Sequence, residues 1–129
     1  MRNSQLNERL IFMKDNNAVS DKSKAFALRT MRLFKYLSDN YRIAPVANQI
    51  LKSGTSIGAN VREAVRAQSK PDFYSKLNIA LKESSETEYW LEILFESGYI
   101  SREQFDSMYS DCKELTKLLT AITKTQKIQ

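Results

Sequence analysis

From residue 105 onward the apolar side chains fall at Phe105, Met108, Cys112, Leu115, Leu119 and Ile122, in unbroken alternating steps of three and four. A strand cannot bury such a set on one face, because its side chains alternate every second residue; an α-helix buries all of it. The same rhythm recurs at Phe73, Leu77, Ala80, Ser84, Thr87, Leu91 and Leu94, and again at Phe26, Thr30, Leu33, Phe34 and Leu37. Sustained, that period is the seam of near-antiparallel helices packed side by side. A sheet protein also needs turn residues at regular spacing, and three Gly with two Pro in 129 residues do not supply them.

The punctuation divides the chain into four helices. Helix one is expected from about Asp21 to Ser38, with Ser20 as its N-cap. SDNYRI makes the turn, and Pro45 suits the first turn of helix two, where a missing N–H costs nothing. That helix is expected to reach about Gln68. Ser69 with Asp72, and Pro71 between them, reads as a capping box opening helix three, which Gly98 ends as a left-handed cap. Ser101 with Gln104 opens helix four, running to about Lys124. The expected fold is all-α: an antiparallel up-down four-helix bundle over residues 18–129, assembling as a homo-oligomer. Residues 1–17 form an arm to which no element is assigned, with Leu6, Leu10 and Met13 spaced to dock as a helical turn.

The stretch SGTSIGANVREA, residues 53–64, has the composition of a loop within this helical pattern. A phosphate-binding loop is excluded, since the Lys-Ser/Thr ending and a preceding strand are both missing. On a helical wheel Gly54 and Gly58 fall inside the stripe of Ile50, Ile57, Val61 and Val65, hence on a buried face. Two helical glycines cost roughly 2 kcal/mol of propensity against alanine. The expected compensation is close approach by helix three, whose facing middle is the small set Ala80, Ser84 and Thr87.

The chain has no histidine, which removes His-dependent nucleophile systems and His-containing metal sites. Neither a catalytic constellation nor a metal or cofactor site is expected. The lone Cys112 cannot form an internal disulfide, which points to a reducing cytoplasm, and as a seam residue it reads as an inert core thiol. No apolar run approaches the ~20 residues of a membrane span, so no membrane association is expected.

Charge is unevenly placed. Residues 20–70 hold ten Lys/Arg against three Asp/Glu, and residues 71–129 hold seven against ten. Such a division suits a polyanion-binding face or subunits that pair opposite charges. Helix one has no acidic residue from Lys22 to Ser38, and Arg29, Arg32, Lys35 and Tyr36 are expected on its outward face. Arg62 and Arg66 follow one turn apart on helix two. Clustered cations beside an aromatic are what phosphate contact and base stacking require; an ordinary solvated helix face, or one paired with a neighbouring subunit, accounts for the charges equally well.

On helix three, Ile79, Trp90 and Ile93 lie outside the core stripe, with Glu83 and Glu86 among them. A Trp flanked by two isoleucines marks an interface, so Ile79, Glu86, Trp90 and Ile93 are expected between subunits. Glu92 and Glu96 extend the acidic side. Glu88 falls on the inward side, where an ionised carboxylate needs a partner: Asn60, Arg62 or the exposed end of the stripe.

The segments KSGTSIGANVREAVRAQSKPDFYSKLNIALKE and SSETEYWLEILFESGYI, at this spacing, resemble the protein family encoded in 23S ribosomal RNA intervening sequences, over about residues 20–125. The resemblance implies a small all-α bundle assembling as a ring-like homopentamer, with no enzymatic activity and no cofactor. That family in turn resembles the accessory variability determinant of diversity-generating retroelements, a basic pentameric bundle that binds nucleic acid and a reverse transcriptase. RNA or DNA, a protein partner of that kind, and further copies of the chain itself are therefore the expected partners.

Overall fold

The computed structural model describes residues 2–128, with side chains from residue 18 to residue 126. Four helices follow one another: α1 (Arg2–Asn40), α2 (Ala44–Val65), α3 (Lys70–Glu96) and α4 (Arg102–Lys124), then a short 3-10 turn, Thr125–Ile128. There is no strand among the described residues.

The helix ends follow the local chemistry. With no Gly or Pro before Pro45, nothing interrupts α1 near Ser20. Ser20 therefore lies inside the helix and is not its N-cap, contrary to expectation. The side chains of Leu6, Leu10 and Met13 lie outside the described residues. Pro45 sits in the first turn of α2, which closes at Val65, three residues short of the expected Gln68. At the start of α3 the Ser69 Oγ accepts the Asp72 N–H at 3.2 Å. α4 opens on a complete capping box: the Gln104 N–H donates to the Ser101 Oγ at 3.1 Å, and the Ser101 N–H donates to the Gln104 side chain at 2.7 Å. Gly98 holds φ +85° after α3. Its N–H donates to the Phe95 carbonyl and the Tyr99 N–H reaches back to Leu94, the paired bonds of a Schellman motif.

Each helix packs on its sequence neighbour, α2 most extensively against α1 and α3, and α4 returns to α1 along the thinnest contact. That arrangement fits an up-down bundle. The core contains the predicted stripes: Phe26, Thr30, Leu33 and Leu37 from α1, Ile50, Ile57 and Val61 from α2, and Leu77, Ala80, Leu91 and Leu94 from α3. From α4 come Met108, Cys112, Leu115 and Leu119, with Phe105 and Ile122 half-buried at its ends. Val65 departs from the prediction: it is 47% exposed, and Ala64 fills the buried position instead.

The two glycines do thin α2, but towards a different neighbour from the one expected. A Cβ at Gly54 would stand 2.6 Å from the Thr30 side chain, and one at Gly58 would stand 3.2 Å from the Ser23 carbonyl oxygen. Both contacts belong to α1, not α3. The α3 residues serve elsewhere: the Thr87 hydroxyl donates to Ser53 of α2 at 2.9 Å, while the Ser84 carbonyl accepts from Cys112 of α4 and the Ser84 hydroxyl lies 3.0 Å from that of Thr116. A helical wheel fixes an angle about one helix; two flanking helices share the buried arc, and it does not choose between them.

Candidate nucleic-acid interface

The basic face is built by α1 and the adjoining edge of α2. Along α1, Lys24, Leu28, Met31 and Lys35 recur at three-and-four spacing, with Arg32 beside them, all exposed. Along α2, Thr55, Ala59 and Arg62 form the matching row, which Arg66 extends just past the helix end. An open groove of about 430 Å³ runs between the two rows, with Lys24 and Arg62 among its lining residues. Lys24, Arg32, Arg62 and Arg66 take part in none of the ion pairs among the described residues.

Three expected contact residues are committed differently. Arg29 is only partly exposed, its side chain at 31%. It bridges to Asp111 of α4 at 2.5 Å and donates to the carbonyl and hydroxyl oxygens of Ser107, so its guanidinium fastens the α1–α4 seam. Lys22 makes a parallel ion pair with Glu114. Position 29 is inward enough to meet α4, which the absence of acidic residues within helix one could not reveal. Lys35 is exposed, 2.8 Å from Asp39; that hydrogen bond and the carboxylate's charge raise its pKa. Such an exposed pair is screened and exchanges readily for another anion. Tyr36 is half-buried and meets Tyr41 edge-on at 6.2 Å, and Tyr41 meets Tyr99 at 4.9 Å. The neighbouring Tyr36 hydroxyl raises the pKa of the Tyr41 phenol. Tyr36 thus belongs to an intramolecular aromatic cluster.

The 23S rRNA-intervening sequence protein family matches this chain over residues 15–121, most of its length. The chain belongs to that family. A crystal structure of a protein of unknown function from the S23 ribosomal protein family, from Bacteroides thetaiotaomicron VPI-5482, superposes with a TM-score of 0.80. The two are 53% identical, over 85% of this chain and 98% of that one. No curated protein matches.

On the opposite side of this family member, Ile79 is 39% exposed and Tyr89 54%, with Tyr89 edge-on to Trp90 at 5.1 Å. Trp90 and Ile93 are half-buried, and the Trp90 indole lies 3.4 Å from the exposed Glu86 carboxylate. Glu83, partly shielded beside Glu86, has its carboxyl held above the usual range, chiefly by burial. Glu88 finds its partners on α4, not on α2: Lys113 at 2.9 Å and the Thr116 hydroxyl at 2.5 Å. Asn60, its anticipated neighbour, instead donates to the Ser56 carbonyl. Cys112 is fully buried, and burial pushes its thiol up to about 12. Lys24 was not anticipated; its spacing from Ala27 and Met31 on one helix edge was the available signal. No helix among the described residues is long and apolar enough to cross a membrane.

Proposed function

We propose that this chain is a non-catalytic, homo-oligomeric accessory protein of the cytoplasm that binds RNA or DNA through phosphates. Arg32, Arg62, Arg66 and Lys24 make the contacts, with Lys35 in support. The observation that carries this reading is the set of four exposed cations on adjoining rows of α1 and α2, none ion-paired among the described residues. Free cations at helical spacing release counterions from a polyanion without first breaking an internal bridge. Contacts made to phosphates carry no base information, so binding is weakly sequence-selective. Repetition of the face around a ring, the assembly the family resemblance implies, would add avidity.

Fluorescence-anisotropy titration with single-stranded RNA and DNA at several salt concentrations tests it. Wild-type affinity should fall linearly on a log–log plot, with a slope of about −0.7 per phosphate neutralised. Changing Arg32, Arg62 and Arg66 to Glu should abolish binding with helix content intact. Arg29 is left alone, because Arg29→Glu would face Asp111 and open the seam. Equal affinity of wild type and triple variant, or no wild-type binding at low salt, refutes the reading. A second reading, docking of a protein such as a reverse transcriptase, is favoured by Leu28 and Met31, each about half exposed among the cations. It predicts an interaction that survives salt and fails in Leu28→Ser/Met31→Ser.

A further inference from the structure

The groove between α1 and α2 has a shape as well as a charge. At Gly58 the helices approach so closely that a Cβ would stand 3.2 Å from the α1 backbone. Ala27, Gly58 and Ala59 leave the groove between them unfilled, where longer side chains would level it. Lys24 reaches it from α1 and Arg62 from α2, and neither is spent on an ion pair among the described residues. The volume of about 430 Å³ corresponds to on the order of a dozen waters. That leaves room for a phosphate carrying its sugar. Among the described residues no aromatic ring lines the groove, so these residues give a base nothing to stack on and it points outward. One carboxylate, Glu63, also lines it and opposes an anion.

We infer that this groove is a seat for one phosphate of a nucleic-acid strand, clamped between Lys24 and Arg62 with the sugar over Ala27, Gly58 and Ala59. The strand rests on the function proposed above; the phosphate specificity does not. A groove differs from a diffuse basic surface in being sensitive to shape at constant charge. Ala59 is exposed, so Ala59→Leu fills the space without disturbing the core.

The test is an amide-resolved NMR titration with inorganic tripolyphosphate and, separately, with a short single-stranded RNA. Shifts should cluster at Lys24, Ala59 and Arg62 with both ligands. Ala59→Leu should weaken both by about tenfold or more, a loss of roughly 1.4 kcal/mol. Lys24→Gln should weaken both more than Lys70→Gln, which removes the same charge outside the groove, and Glu63→Gln should tighten both. Tripolyphosphate bound in the groove without RNA binding keeps the seat and ends the nucleic-acid reading. RNA bound with the groove unperturbed and Ala59→Leu at wild-type affinity overturns the seat and leaves the surface reading standing. No groove shifts with either ligand overturns the seat.

Discussion

Gly54 and Gly58 are one turn apart, yet a methyl group at each would meet a different obstacle. At Gly54 the new Cβ would meet the buried, β-branched Thr30 at 2.6 Å, and Thr30 is further held by donating its hydroxyl to the Phe26 carbonyl. Gly54→Ala should therefore lose ~1–3 kcal/mol to overpacking in urea denaturation, despite its propensity gain. Thr30→Ala in the same chain should recover part of the loss, a coupling that independent sites would not show. Gly58→Ala, whose Cβ would meet the Ser23 backbone at 3.2 Å, should lose less than Gly54→Ala. Cys112 is a second residue whose surroundings set a measurable property. An ordinary thiol ionises near pH ~8.5, but burial holds this one protonated to about 12. Between those values the unfolded chain has released a proton that the folded chain keeps, so stability should fall as pH rises, by up to ~1.4 kcal/mol per unit. Denaturation midpoints between pH 8 and 11 should fall less steeply for Cys112→Ala than for wild type; parallel curves would show that the thiol does not titrate this way.

Between α3 and α4, one ion pair sits in unequal surroundings. The Glu88 side chain is 11% exposed and that of Lys113 48%. Removing the cation strands a nearly buried carboxylate on the Thr116 hydroxyl alone, whereas removing the carboxylate frees a lysine that water can reach. Lys113→Leu should destabilise, while Glu88→Leu should stay within ~1 kcal/mol of wild type or exceed it. Equal losses from the two variants would remove the asymmetry. Glu88 also marks how far the sequence could be read. Its inward position and its need for a partner were legible from the helical period. The identity of the partner was not, because the period says nothing about which helix lies opposite. The same limit produced the mistaken neighbour for Gly54 and Gly58. Helix ends were more legible where the signal is local, as in the Ser101–Gln104 box and Gly98, and less so at Ser20, which has capping chemistry but no break before it.

Taken whole, the molecule separates a basic side on α1 and α2 from an acidic, apolar-studded side on α3. The basic composition of the first side was readable directly. Which of its cations were free was not, since Arg29 was claimed by Asp111, 82 positions away. If the proposed oligomer uses the α3 side, Ile79→Glu should shift the folded protein to smaller species in sedimentation velocity, because a charge buried without a partner opposes association. An unchanged sedimentation coefficient would take this patch out of the interface. The α1–α4 seam has a consequence of another kind, in the order of events as the chain folds. Three helix pairs join sequence neighbours and can form through short loops; among the described residues, α1 and α4 are the substantially packed pair that must find each other across the chain. Closing so long a loop carries the largest entropic cost and returns the thinnest contact. The seam should therefore form after the transition state. Asp111→Ala, which frees Arg29, should speed unfolding and leave the refolding limb of the chevron where it was.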